Sequence, residues 1–273
     1  MFPDYHLHTS FSSDSDTPVN DVIKKATSIG MNSICITDHY DMNFPINPDE
    51  PELTFDLDLD AYKNELLKIK STLNSSMDLK IGIELGVMST TCQELENLLK
   101  NSNFDFVIAS SHIVNGLDPY NKEYFYNKTD KQAFEEYFET IQYNVKHFKN
   151  YNVYGHLDYV VRYGKSKSLN YHFNDYYDLF KDILTTIIHD GKGIEINTGG
   201  LYAGLPFAHP HPDLLKLYKE LGGEIITVGS DAHITSRIGY GFDYVKELLL
   251  SNGFKYYCTY CNRKPAFNLI ETA

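Results

Sequence analysis

Seven short apolar runs, each followed by a stretch of helical periodicity, constrain this chain more than any other feature of it. The runs fall at residues 5–8, 33–37, 80–85, 104–109, 153–156, 193–197 and 224–228. They are brief and rich in β-branched residues, as buried strands are. Between and after them, apolar residues recur at helical spacing over 19–29, 59–73, 91–99, 131–148, 173–188, 213–221 and 243–250. Gly30 reads as the stop of the first helix, and Gly222-Gly223 as the stop of the sixth. Strands alternating with helices imply a parallel sheet, and the crossover rule makes each unit right-handed. Seven units in 273 residues predict an α/β chain folded as a distorted (β/α)7 TIM-like barrel, a single domain over 1–273. A doubly wound open sheet is the alternative. The segments 41–58 and 115–129 read as long loops of the kind that build sites.

Histidines and acids gather at the C-terminal ends of these runs. They are His6 and His8 with Asp14 nearby, then Asp38-His39, Glu84, Ser110-Ser111-His112, His156-Leu157-Asp158, Glu195 with Asn197, and Asp231-Ala232-His233. In a parallel barrel such ends converge on one face. Any single pair has a bland explanation: a His-x-His by chance, or a salt bridge for Glu84. Together they crowd imidazoles and carboxylates into one volume, which is costly without cations. Residues at i and i+2 of a strand point the same way, so His6 with His8, and Asp231 with His233, can each grip one ion. A mixed imidazole and carboxylate set favours Zn, Fe or Mn. Ser111-His112 lacks the strained turn of a serine nucleophile. Cys258-x-x-Cys261 is half a zinc site without a second pair, and is assigned to a terminal strand.

Composition excludes other classes. With 24 Lys+Arg against 37 Asp+Glu the net charge is −13, which repels a nucleic-acid backbone. No apolar stretch is long enough to span a membrane. Met1-Phe2-Pro3-Asp4, without a basic segment leading into an apolar run, does not read as a signal peptide. The four cysteines form no disulfide framework, so the cytoplasm is the expected location. No feature of the sequence sets an oligomeric state.

The ordered set His6-x-His8, Asp38-His39, Gly-Ile-Glu84-Leu-Gly, Ser-His112, Gly-His156-x-Asp158 and Gly-Ser-Asp231-Ala-His233 resembles the signature of the polymerase-and-histidinol-phosphatase superfamily. The resemblance runs from residue 4 to about 265, and Asn-Arg-Lys-Pro at 262–265 resembles the tail of its monofunctional histidinol phosphatases. It implies a distorted (β/α)7 barrel with three divalent metal ions. His6, His8, Glu84 and Asp231 would hold the first. Glu84 would bridge to the second, with His112 and His156. Asp14, His39 and His233 would hold the third, Asp14 standing where some members carry His. The implied activity is hydrolysis of the small phosphomonoester histidinol phosphate in histidine biosynthesis. Rivals are another small phosphomonoester, a nucleic-acid-processing module and a non-catalytic metal binder.

A multimetal cluster suits that chemistry, since two ions sharing a hydroxide make it a nucleophile near neutral pH. Asp231, or a water on the cluster, is the expected proton donor to the leaving alkoxide. Arg162 and Arg237 follow site motifs and are expected on the phosphate, whose geometry a guanidinium fork matches. Tyr120, Tyr163 and Tyr202 are candidate pocket walls, and Lys122 and Lys165 candidate helpers. Glu195 is the candidate contact for a substrate amine, together with Asn197. Asp158 is expected either to orient His156 or to be a plain loop residue. His209 and His211 are weighed as substrate contacts against a simple turn.

Overall fold

The structure, a computed structural model, describes residues 1–47, 50–100 and 102–271. Pro48 and Asp49 of the long loop, Asn101, and Thr272 and Ala273 of the expected domain lie outside the described residues.

The parallel strands are β1 (Ser33–Ile36), β2 (His39–Tyr40), β3 (Asp78–Gly86), β4 (Phe106–Ser110), β5 (Val153–Tyr154), β6 (Gly193–Asn197) and β7 (Ile226–Gly229). β1 and β2 pair with one neighbour, β3, so they are two halves of one strand interrupted at Thr37-Asp38. From β3 to β7 the spatial order follows the chain order, which is a singly wound barrel and not the doubly wound alternative. The expected first strand forms only isolated bridges, Asp4 to Ile34 and Leu7 to Ala232. Its backbone still bonds both flanks: Cys35 N–H donates to Asp4 O, and Tyr5 N–H donates to Val228 O. Residues 4–8 therefore close the curl between β1 and β7, and this is the barrel's distortion.

The helices are α1 (Val19–Ser28), α2 (Leu59–Thr72), α3 (Cys92–Lys100), α4 (Asp130–His147), α5 (Tyr177–His189), α6 (Gly199–Tyr202), α7 (Pro212–Glu220) and α8 (Phe242–Ser251). All seven expected helices are there, and the single turn α6 is additional. Their ends have local causes. Asp58 accepts from Asp60 and Ala61 N–H to start α2, and Thr129 with Gln132 forms a capping box at α4. The segment expected to be helical from 173 begins as a 3-10 turn, Phe173–Tyr176, before α5. None of the described helices is long and apolar enough to cross a membrane.

Strand alternation sorts the side chains. Ile83, Leu85, Val107, Ala109, Ile194, Ile196, Ile226 and Val228 pack outward into the main core with the helices. Tyr5, Cys35, Phe106, Ile108 and Val153 form a second cluster inside the barrel. Cys258 and Tyr260 complete that cluster from a terminal antiparallel hairpin, β8 (Tyr256–Cys261) and β9 (Lys264–Leu269). The Tyr260 ring lies 4.9 Å from that of Phe106, and Tyr260 N–H donates to the Tyr5 hydroxyl at 3.0 Å. Cys258 is buried and Cys261 exposed, as expected of strand residues that are not a metal pair. Arg263, at the hairpin turn, donates to Asn150 O at 2.9 Å. The N-terminal mouth of the barrel is thus plugged with apolar and aromatic groups. What remains inside, at the C-terminal ends, is polar.

Candidate metal centre

Glu84 is the hub. It projects inward from β3, is fully buried, and both its oxygens face imidazoles. Oε1 lies 3.2 Å from His112 Nε2 and 3.0 Å from His156 Nε2. Oε2 lies 3.1 Å from His6 Nε2, 3.5 Å from His8 Nε2 and 2.9 Å from His39 Nδ1. The sixth strand-end imidazole, His233, stacks on His8 with centroids 4.1 Å apart, and its Nε2 lies 3.0 Å from Asp14 Oδ2. Asp231 Oδ1 lies 3.3 Å from His8 Nε2. All nine expected ligands therefore meet at one end of the barrel.

Whether this set suits cations is decided by where the lone pairs point. His6 Nε2, His8 Nε2, His39 Nδ1, Glu84 Oε2 and His233 Nε2 are buried, and none has a partner in hydrogen-bond geometry, although neighbours sit close. Atoms that approach without aligning on each other are aimed at points between them. The Nδ1 atoms of His6, His8, His112 and His233 have partners of their own. His6 Nδ1 faces Glu195 Oε2 at 2.9 Å, His8 Nδ1 faces Ser12 Oγ at 3.2 Å, and His112 Nδ1 faces Asp41 Oδ2 at 2.6 Å. His233 Nδ1 faces Asp231 O at 3.0 Å. A second partner that fixes tautomer and leaves the other nitrogen free is how metal-ligating histidines are held. Four triads place ligand atoms close enough to share one ion: His8, His39 and His233; His6, His8 and Asp231; His6, Glu84 and His156; and His39, Glu84 and His112. The grouping His6, His8 and Asp231 contains three of the four residues expected of the first site. His112 and His156 fall in separate triads, each with Glu84.

The electrostatics agree. Burial alone would raise the Glu84 pKa, but His6, His39 and His112 hold it well below the usual carboxylate range. Burial together with His39 and His233 pushes His8 well below its ordinary value, so its imidazole is neutral. Burial would lower His6 too, yet Glu195, Glu84 and Asp231 outweigh it and pull its pKa well up. The acids here demand positive charge, and the donor set is one that divalent cations fit.

Other expected residues land elsewhere. Glu195 does not face the substrate space. It sits behind His6, 1% exposed, and also accepts His156 N–H at 2.9 Å and the Asn197 amide at 3.0 Å. Asp158 does not orient His156. It holds His209 Nδ1 at 2.6 Å and His211 N–H at 2.8 Å, and so takes both histidines away from the cavity. His209 is fully buried, and His211 caps α7. Lys165 turns to Lys128 O at 3.0 Å, and Lys122 is exposed on a 3-10 turn. Asp231, the expected proton donor to the leaving alkoxide, starts ionised, so it must first take up the proton it would pass on. Burial would raise its pKa, but His6, His8 and His233 hold it well below the usual range, as a carboxylate.

Above the cage lies a cavity of about 530 Å³, whose walls include Asp118, Tyr120, Tyr159, Arg162, Tyr163 and Arg237. The Arg162 guanidinium stacks on Tyr159 at 4.2 Å and Tyr163 at 4.9 Å, with Nη1 3.9 Å from Asp231 Oδ2. An adjoining cavity of about 450 Å³ adds Lys167 and Tyr202, and the Arg237 guanidinium lies 3.4 Å above the Tyr202 ring. Of the site-building groups, Ser12, Asp41 and Asp118 are absent from the expected site residues, although Asp41 and Asp118 lie in the two loops expected to build a site. Ser110 Oγ donates to Glu84 Oε1 at 2.6 Å, and Ser12 links His8 to Asp38. One trace of Asp41 is visible in retrospect. A Cβ on Gly86 would lie 2.3 Å from Asp41 Cγ, so the second glycine of Gly-Ile-Glu-Leu-Gly makes room for it.

With this geometry in place, comparison with known proteins gives one family. The PHP domain family matches residues 4–199, and the chain belongs to it. Its similarity also extends over whole proteins. It is 32% identical to the histidinol-phosphatase of Lactococcus lactis subsp. lactis, over 96% of this chain and 95% of that one. It is 31% identical to a probable histidinol-phosphatase of Clostridium acetobutylicum, over 98% and 96%. The crystal structure of the Lactococcus lactis histidinol phosphate phosphatase, complexed with zinc, L-histidinol and phosphate, superposes with a TM-score of 0.87 at 32% identity, covering 97% of this chain and 98% of that one.

Proposed function

We propose that this chain, acting as one catalytic domain over residues 1–273, is a divalent-cation-dependent phosphomonoesterase that hydrolyses histidinol phosphate to histidinol and inorganic phosphate. The observation that carries the reading is the cage: one buried glutamate between five imidazoles, open to an arginine-walled cavity. Near-full-length likeness to an enzyme whose structure holds zinc, L-histidinol and phosphate supports the substrate. A place in histidine biosynthesis follows from that substrate. Four free cysteines support a cytoplasmic location.

Three cations are proposed, of Zn, Fe or Mn character. His6, His8, Glu84 and Asp231 would hold one, Glu84, His112 and His156 another, and Asp14, His39 and His233 the third. Bound there, they supply Lewis acidity that makes a water nucleophilic near neutral pH and offsets charge on the phosphoryl oxygens. The chain's own groups do the rest. Tyr159 and Tyr163, with rings inclined at 67° to each other, both contact the Arg162 guanidinium at the cavity wall, where its fork can meet a phosphoryl group, and Arg237 approaches from the adjoining cavity. Water attacks phosphorus and the P–O ester bond breaks. Asp231, already ionised, accepts the water's proton at Oδ2, on the Arg162 side, and returns it to the departing alkoxide. Tyr120, Tyr163 and Tyr202 line the two cavities.

The test is phosphate release from histidinol phosphate beside a sugar phosphate and a nucleoside monophosphate. The reading expects kcat/KM for histidinol phosphate to exceed the others by about 100-fold. A sugar or nucleotide ester as the preferred substrate refutes it.

A further inference from the structure

The cavity above the cage is not uniform in charge. Arg162 and Arg237 line it, and so does Asp118, a carboxylate that nothing described has used. Asp118 follows a tight turn in which Val114 and Leu117 bond each other's backbones across Asn115 and Gly116. Both turn residues have positive φ, 50° and 79°, which suits Asn-Gly. The chain then turns again, with Asn121 N–H donating to Asp118 O at 2.9 Å. Asp118 Oδ1 accepts Tyr120 N–H at 2.7 Å. The carboxylate is thus fixed at the cavity wall with one oxygen accepting a backbone N–H.

Among the described residues, no Lys, Arg or His lies within ion-pair distance of this carboxylate, although it is half-buried. Around it the wall is aromatic, from Tyr120, Tyr159 and Tyr163. A negative group set among π faces is the recognition chemistry of an organic cation. Burial pushes its pKa up to about 6, only partly offset by the Tyr120 N–H, His112 and Arg162. A positive ligand relieves that penalty by pairing with the carboxylate.

We infer that Asp118, framed by Tyr120 and Tyr159, binds the protonated nitrogen of the substrate and orients the ester so that its phosphate end reaches Arg162 and the cage. This rests on the functional reading above and adds its specificity determinant: the site takes phosphomonoesters that carry a cationic nitrogen at the far end. Histidinol phosphate offers two such groups, a primary amine and an imidazole, so the experiment includes an ester with the amine alone.

The test compares wild type, D118N and D118E on histidinol phosphate, 2-aminoethyl phosphate and glycerol phosphate. Wild type is expected to prefer the nitrogen-bearing esters. In D118N the ratio of kcat/KM for histidinol phosphate over glycerol phosphate falls by about 10- to 100-fold, through KM more than kcat, as loss of one charge-assisted hydrogen bond requires. D118E returns the charge and recovers part of the preference. A parallel fall for 2-aminoethyl phosphate assigns the contact to the amine, and a fall for histidinol phosphate alone assigns it to the imidazole. Product inhibition gives a second readout, in which D118N weakens inhibition by histidinol more than inhibition by inorganic phosphate. A folded D118N that keeps the wild-type ratio overturns the inference and leaves the phosphatase reading standing. A wild type without preference for histidinol phosphate overturns both.

Discussion

Replacing Glu195 by Gln removes one oxygen and one charge from behind the cage, and its consequence follows from hydrogen-bond polarity. Oε1 accepts two fixed donors, His156 N–H at 2.9 Å and the Asn197 amide at 3.0 Å, while Oε2 faces His6 Nδ1 at 2.9 Å. A glutamine has only one acceptor to offer. If its NH2 takes the Oε1 position, two buried donors lose their acceptor, at about 1–3 kcal/mol each. If its NH2 takes the Oε2 position, those donors are kept, but His6 Nδ1 must become an acceptor. The ring proton then moves to Nε2, the nitrogen aimed into the cage. The second arrangement costs less, so E195Q turns the His6 Nε2 acceptor into a donor without emptying any volume. Loss of such an outer partner weakens a metal by roughly 10- to 100-fold, or about 1.4–2.8 kcal/mol. Competition against a chromophoric chelator measures the affinity, and circular dichroism checks the fold. A folded E195Q with wild-type cation affinity and wild-type kcat would refute the reasoning about His6.

Three further outcomes follow from the same geometry. A Cβ on Gly229 would stand 2.3 Å from His6 Cβ and 3.2 Å from Glu195 Oε2, so G229A should displace His6 and lower kcat by about 100-fold; an alanine variant with normal turnover contradicts it. D158A strands His209 in the core, and should lower the unfolding free energy by about 3 kcal/mol in a denaturant titration, while the folded fraction keeps its kcat because Asp158 lines neither cavity. Asp118, with a pKa pushed up to about 6 by burial, is protonated below that value and ionised above it. KM for histidinol phosphate should therefore rise as pH falls through about 6 and level off above it. His112 and Arg162 facing Asp118 oppose this shift and Asp41 reinforces it. D118N should lack that limb, and a D118N profile identical to wild type removes Asp118 from it.

What the sequence made legible follows from periodicity. Glu84, amid Ile83 and Leu85, and His39 are inward by the two-residue repeat of their strands, and the resemblance of the motifs supplies the rest of the nine-residue set, including Asp14, which lies in a turn. The groups behind them are not legible in either way. Asp158 is two residues from His156, but the chain has left β5 by then and turned into a 3-10 helix, Tyr159–Tyr163, which swings its carboxylate toward His209. Glu195 sits on a regular strand and does point inward. Its reach stops at the His6 ring, which stands between it and the substrate space, and only the closing of residues 4–8 against β7 sets that order. Asp41 and Asp118 lie in loops without periodicity, where a carboxylate's direction depends on contacts distant in sequence. The hairpin that plugs the far mouth reads as a strand, but its docking on Tyr5 and Phe106 is a tertiary fact.

If the strand-end imidazoles and carboxylates are a cation cage, the phosphatase reaction requires the cations it holds. That requirement is tested most directly by measuring divalent metal per folded chain by mass spectrometry, alongside phosphate release from histidinol phosphate, before and after exhaustive chelation. The account predicts roughly three equivalents of Zn, Fe or Mn in the active protein, loss of turnover as they are removed, and recovery when one of these metals is returned. Full turnover by a chain stripped of every divalent cation would contradict it.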